Sequence, residues 1–102
     1  MNLTEARQLF DSIRKDASRI RVRVHAYKDH PERGFTLDEI LSLVATAKPY
    51  RLTLNRATSA WPGSFLFSCW DDLRREVKMS VSFRHEPKRR EIILVINAMR
   101  DV

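Results

Sequence analysis

Histidine is the side chain that ordinarily titrates between about pH 5 and 8, and the sequence contains three, at His25, His30 and His85. His25 and His85 are each predicted at the end of a strand, with basic residues close by. A histidine with basic residues close by could transfer a proton beside a bound phosphate. A purely structural role for these histidines is compatible with the same sequence pattern. His30 lies in a polar connection and is interpreted as a solvated loop residue.

Basic residues supply a second candidate feature, a surface for a phosphate backbone. Cations alternate with apolar residues along several predicted strands, so one face of the sheet is expected to be basic. An ordinary solvent-facing sheet would show the same alternation. The residues assigned to this surface, or to the basic connection before the last strand, are Arg21, Arg23, Arg51, Lys78, Lys88, Arg89 and Arg90.

Other kinds of site are disfavoured by the sequence. The chain has two glycines, which excludes a glycine-rich nucleotide loop, and it lacks cysteine or histidine pairs with zinc-binding spacing. We therefore predict no metal and no cofactor. Cys69 has apolar neighbours and is interpreted as a core residue, whereas Trp70 is compatible with the core or with stacking a base.

Composition favours a small globular domain with an anionic partner. The 102 residues are predicted to form a single domain, 1–102, with 19 Lys and Arg against 13 Asp and Glu and a net charge of +6. That excess favours nucleic acid, although solubility or an acidic protein partner would also account for it. The single cysteine excludes an internal disulfide and fits the cytoplasm, and no segment predicts a membrane helix or a secretory signal.

Hydrophobic periodicity predicts the elements that must position these residues. A three- to four-residue period indicates a helix over residues 3–17 and another from Thr36, where a T-x-x-E capping box begins it, to Ala47. Alternating or continuous apolar residues indicate strands over residues 19–25, 50–55, 64–70, 76–84 and 91–99. The order α-β-α-β-β-β-β predicts an α+β two-layer sandwich. Its mainly antiparallel meander has four to five strands, with two helices on one face.

Three motifs follow one another between residues 20 and 100: a strand ending in His-Ala, an Arg-Gly before a capped helix, and a closing Ile/Val-rich strand. They are Val24-His25-Ala26, then Glu32-Arg33-Gly34-Phe35-Thr36 with Glu39-Ile40, and the segment EIILVINAMR. This pattern resembles a family of small bacterial and phage domains related to the BrnT and RelE ribonuclease toxins.

The resemblance implies a RelE/BrnT-like fold and metal-independent RNA cleavage, in which a 2′-hydroxyl attacks the adjacent phosphate. His25 and Arg33 match the family's pattern, as a general acid or base and a phosphate-binding cation. Arg84 and His85 are assigned from chemistry alone, His85 as the complementary proton-transfer group. The implied partners are RNA and, for a toxin, an antitoxin protein. Two alternatives stay open: a non-catalytic nucleic-acid-binding module and a protein-interaction module.

Overall fold

A computed structural model describes residues 1–55, 63–87 and 90–100, which contain two helices and five strands. Within these ranges neither helix has the length and apolar character required to span a membrane. The elements are α1 Leu3–Ile13, β1 Ile20–Val22, α2 Leu37–Thr46, β2 Arg51–Leu54, β3 Phe65–Trp70, β4 Glu76–His85 and β5 Glu91–Arg100, with 3-10 turns at Ala17–Arg19, Val24–Ala26 and Pro31–Arg33.

The strands form one mixed sheet in the order β1-β5-β4-β3-β2. β1 pairs with β5 in parallel, and the other three pairs are antiparallel. The predicted α+β class and element order are confirmed, but the sheet is not a pure antiparallel meander. β5 is apolar on both faces along most of its length, and it gains a neighbour on each side when β1 pairs with its outer edge.

Both helices begin at the caps that the sequence indicates. Asn2 Oδ1 accepts from the Glu5 backbone N–H at 2.8 Å, and Thr36 Oγ1 accepts from the Glu39 N–H at 3.1 Å. α1 ends four residues earlier than predicted. The Asp16 side chain accepts from the Ser18 N–H at 3.0 Å and starts a 3-10 turn instead.

The core lies between the helices and one face of the sheet. Phe10 of α1 packs on Phe67 of β3 and on Tyr50, with ring centroids 5.2 and 5.3 Å apart. Arg14 joins the two helices, because its Nε and Nη2 donate to the carbonyl oxygens of Val44 and Ala47 at the end of α2. Cys69 is fully buried in this core, as predicted, and burial raises the pKa of its thiol to about 11.

Tyr50 provides a test of this packing. Burial, followed by the hydrogen bond that its hydroxyl donates to Asp11, raises the pKa of Tyr50 from 10.0 to about 12. The folded state thus favours the neutral phenol, so its contribution to stability is complete below pH 10 and is lost as the pH rises toward 12. We expect a titration followed at 295 nm to show a tyrosine ionising near pH 12 that disappears in Tyr50→Phe. An unchanged titration in that variant would contradict the assignment.

The first strand is shorter than the alternating pattern indicates. The prediction of a strand over residues 19–25 is wrong beyond Val22, and Val24, expected in the core, is 52% exposed. The Ala26 N–H donates to the Arg23 carbonyl at 2.9 Å, which closes a 3-10 turn over Val24–Ala26. The turn rotates the side chains out of strand alternation, so Val24 is exposed while Ala26 is buried.

The two faces of the sheet differ in cover. One carries the core residues and the helices. The other, which we call the open face, has no described helix on it. The strand register places these residues on the open face: Arg21, Arg51, Thr53, Leu66, Ser68, Trp70, Glu76, Lys78, Ser80, Ser82, Arg84, Leu94 and Asn97.

Candidate functional site

Residues 24–33, which we call the histidine turn, leave the end of β1 and carry two of the three histidines. Two short 3-10 turns, Val24–Ala26 and Pro31–Arg33, begin and end the segment. The Lys28 N–H donates to the Val24 carbonyl at 2.9 Å, so the chain folds back on itself between them. Gly34 ends the segment at φ 72°, a left-handed conformation that glycine adopts without strain.

Each histidine of the turn is held by a carboxylate. His25 Nδ1 lies 2.6 Å from Asp29 Oδ2, and His30 Nδ1 lies 3.1 Å from Glu32 Oε1. Two hydrogen bonds hold the pKa of the Glu32 carboxyl below its usual value. The larger effect comes from the backbone N–H of Glu32 itself, and the next from the His30 side chain. The histidine side chains are 40% and 35% exposed, so both rings remain accessible to a substrate.

The two imidazole rings lie against each other. Their centroids are 5.6 Å apart and their planes meet at 83°. Because both Nδ1 atoms contact carboxylates, the Nδ1–H tautomer is favoured, and Nε2 of each ring is the nitrogen left for proton transfer. Two accessible imidazoles oriented in this way can act as an acid and a base on one substrate. The sequence indicated His25 for this chemistry, whereas His30 was interpreted as solvated. The sequence signal that could have identified His30 is the spacing of each histidine from an acid, His25 from Asp29 and His30 from Glu32.

Arg33 has a structural contact in this arrangement. Its Nη1 donates to the Ala98 carbonyl of β5 at 3.0 Å, beyond the point at which β1 stops pairing with that strand. The bond satisfies part of an otherwise uncovered strand edge. Arg23, an exposed residue just before the histidine turn, donates its backbone N–H to Val95 of β5.

Arg84 and His85 lie toward the other end of β5 from the histidine turn. His85 pairs with Glu91, and Val22 pairs with Val95, four residues further along the strand. That separation is about 13 Å at strand spacing, and β5 itself lies between the two chain segments. The register therefore does not bring Arg84 and His85 together with His25 and Arg33.

The other basic residues that the sequence assigned to a phosphate-binding surface lie in three places. Arg21 lies on the open face, where Nη1 donates to the Ser18 carbonyl at 2.7 Å and Nε lies 3.7 Å from Glu86 Oε1. Arg51 and Lys78 also lie on the open face, on either side of β3. Arg90 is exposed just before β5, and Lys88 and Arg89 lie outside the described residues.

Trp70 projects from the open face and is 47% exposed, which decides between its two predicted locations. The ring borders a depression of about 370 Å³ that is also lined by Arg51 and Lys78. The lining residues are Arg51, Thr53, Leu66, Ser68, Trp70, Glu76 and Lys78.

A buried ion-pair cluster lies near the end of β5, and nothing in the sequence analysis indicated it. The Arg100 side chain, 5% exposed, places Nη2 2.5 Å from Glu39 Oε2 and Nε 3.2 Å from Asp71 Oδ2. Its guanidinium carbon lies 4.1 Å from the centroid of the Phe35 ring. Arg75 Nε approaches the same Asp71 oxygen at 2.9 Å. The sequence signal that could have indicated this cluster is Arg100 itself, an arginine at a core-facing position of an apolar strand.

Asp71 receives enough donors to stay ionised in this environment. Burial works to raise the pKa of its carboxyl. The backbone and side-chain hydrogen bonds from Arg75, with the backbone hydrogen bond from Leu73, hold the pKa below the ordinary 3.8. Its contribution to stability is therefore present above about pH 4 and is lost as the pH falls through the lowered value.

A scan against protein-family models and searches of curated proteins and of solved structures found no match to this chain. The resemblance to the BrnT and RelE toxins stays a prediction. Among residues 1–55, 63–87 and 90–100, no group of three or more histidine, cysteine, aspartate or glutamate side chains is arranged to hold a metal ion.

Proposed function

We propose that this chain is a metal-independent endoribonuclease, similar in kind to the RelE and BrnT toxins, with its active site at the histidine turn. The observation that supports the proposal is the pair of carboxylate-bound imidazoles with ring centroids 5.6 Å apart. Cleavage of RNA by transesterification needs one base and one acid within reach of a single phosphate, and no metal. In this role the partners are RNA and, for a toxin, an antitoxin protein.

The proposed reaction uses the two rings in turn. Nε2 of one histidine takes the proton of a ribose 2′-hydroxyl, and the 2′-oxygen forms a bond to the adjacent phosphorus. The bond from phosphorus to the 5′-oxygen breaks, and the other histidine, protonated, gives its proton to that oxygen. The products are a 2′,3′-cyclic phosphate and a free 5′-hydroxyl.

Basic residues around the turn favour the bound phosphate. Arg23 and Lys28 are exposed within or beside the segment, and Arg33 ends it. Positive charge beside the phosphate stabilises the charge that develops on its oxygens in the transition state. Asp29 and Glu32 position the imidazoles through their contacts with the two Nδ1 atoms. This arrangement gives His30 the role that the sequence analysis assigned to His85.

The proposal is tested by incubating the purified protein with 5′-labelled single-stranded RNA in buffer containing EDTA. We expect fragments that end in a 2′,3′-cyclic phosphate, detected by their shift in mobility after acid opening of the cyclic phosphate and phosphatase treatment. Intact RNA after prolonged incubation would reject the ribonuclease. Cleavage that requires a divalent cation would reject the two-histidine mechanism.

A further inference from the structure

The open face contains one residue suited to holding a base, and its surroundings are suited to phosphates. Trp70 ends β3 with its ring on the open face, while its neighbour Cys69 points into the core. Ser68 lies two residues earlier on the same face, about 7 Å away at strand spacing. Ser68 pairs with Arg51 of β2 on one side and with Lys78 of β4 on the other.

This register places a cation on each side of the strand that carries the tryptophan. Neighbouring strands lie about 4.8 Å apart, so the Cα atoms of Arg51 and Lys78 are separated by about 10 Å across Ser68. Both side chains line the depression beside the ring. The acidic residue that lines the same depression, Glu76, lies beside Lys78, whose Nζ is 3.3 Å from Glu76 Oε1, so the two lining cations exceed the lining acid by one charge.

The distribution of charge between the two sides of the molecule agrees with an anionic ligand here. The strand residues of the open face include the four cations Arg21, Arg51, Lys78 and Arg84, and the single acid Glu76. The helices on the opposite side carry four acids, Glu5, Asp11, Asp38 and Glu39, and the single cation Arg7. The excess of cations among the strand residues of the open face therefore attracts a polyanion to this side.

We propose that the depression around Trp70 binds one nucleotide of a single-stranded RNA. The indole stacks on the base, and Arg51 and Lys78 contact the phosphates on either side of it. This inference rests on the proposed function for its ligand, RNA, and names where the strand is held. Stacking on an exposed aromatic ring requires an unpaired base, so the site excludes duplex RNA.

Trp70 lies toward the same end of the sheet as the histidine turn. Trp70 pairs with Glu76, the next residue Val77 pairs with Arg100 at the end of β5, and Arg33 contacts Ala98 of the same strand. An RNA strand that extends from the depression along this end of the sheet leads toward the edge strand β1, after which the histidine turn begins. The depression thus provides affinity at a distance from the atoms that react.

The test measures binding without cleavage. The probe is a fluorescein-labelled 12-nucleotide 2′-O-methyl RNA without self-complementarity, which lacks the attacking hydroxyl, and its binding is followed by anisotropy at low salt. We expect Trp70→Ala to weaken binding by about 5- to 150-fold, the range for losing one stacked base. Trp70→Phe should retain most of the affinity. Leu73→Ala, which removes another exposed apolar side chain (72% exposed) from the turn after β3, is the matched control.

The cations are tested through the dependence of binding on salt. Each lost phosphate contact on a single strand lowers the slope of log K against log salt by about 0.7, so Arg51→Ala and Lys78→Ala should each show this change. Arg7→Ala, on the outer side of α1, removes the same charge from the opposite side and should leave the slope unchanged. A duplex of the same sequence should bind more weakly than the single strand.

Several results would overturn the inference: no binding of the probe by the natural protein, affinity unchanged in Trp70→Ala, or equal affinity for duplex and single strand. The ribonuclease proposal fails separately. If the probe binds through Trp70 while unmodified RNA stays intact, the nucleotide site stands and the protein is a binding module. If His25→Ala and His30→Ala bind the probe as the natural protein does, the two sites are distinct.

Discussion

Replacing His25 or His30 by alanine is expected to lower RNA cleavage by about 10²- to 10⁴-fold, the range for removal of a positioned acid or base. Both rings are more than a third exposed and contribute little to the core, so the melting temperature should change little. Cleavage is measured on labelled RNA with EDTA present, and folding is checked by thermal denaturation of the same preparations.

The dependence of cleavage on pH adds a readout that a structural role would not change. One imidazole must be neutral and the other protonated, so the rate should rise to a maximum and fall on either side of it as the pH is varied. Asp29→Asn and Glu32→Gln remove the carboxylates that contact the two rings while retaining hydrogen-bonding groups. We expect these variants to keep measurable activity, because they alter the positioning of the rings and retain both imidazoles.

His85→Ala decides between two arrangements of the active site. The strand register places His85 opposite Glu91, away from the histidine turn, so this variant should retain cleavage. If His85→Ala abolishes cleavage while His30→Ala preserves it, the acid–base pair at the histidine turn is rejected. Equal cleavage by His25→Ala and the natural protein would reject it as well.

Replacing Arg100 by methionine is expected to destabilise the protein by about 1–3 kcal/mol, since it removes one partner of Asp71 and of Glu39 near the end of β5, while Asp71 keeps its hydrogen bonds from Arg75 and Leu73. The side chain is 5% exposed, and Asp71 beside it is also buried. For a domain of this size the melting temperature should fall by at least about 4 °C. Denaturation by urea gives the free energy of unfolding independently.

Arg75→Met is the matched control for Arg100→Met, because both arginines approach Asp71 and both substitutions remove one positive charge. The Arg75 side chain is 41% exposed, so its ion pair should contribute about 0–1 kcal/mol. Similar losses of stability in the two variants would show that burial does not set the strength of this cluster.

Local sequence determined the starts of the helices, the core and most of the strands. Asn2 and Thr36 cap the helices because each side chain reaches a backbone N–H three residues ahead, an interaction wholly contained in one turn of chain. β2 and β4 follow alternation between polar and apolar residues, which depends only on the pleat, and β3 and β5 follow nearly continuous apolar residues, as expected of interior strands. The end of β1 was not predictable in this way. A 3-10 turn and a strand are both compatible with VHA, and in the folded chain the hydrogen bond from the Ala26 N–H to the Arg23 carbonyl closes the turn.

Tertiary structure alone decided which polar residues meet. The alternating pattern indicated that Arg51 and Lys78 share a face, but only the pairing of both strands with β3 places them on either side of the strand that carries Trp70. Pairing of β1 with β5 separates His85 from His25, and folding of the turn brings His30 to it instead. Strand order and loop folding depend on contacts between distant residues. A single sequence therefore identifies the histidines and arginines as chemical groups, and only the fold determines which of them act on one substrate.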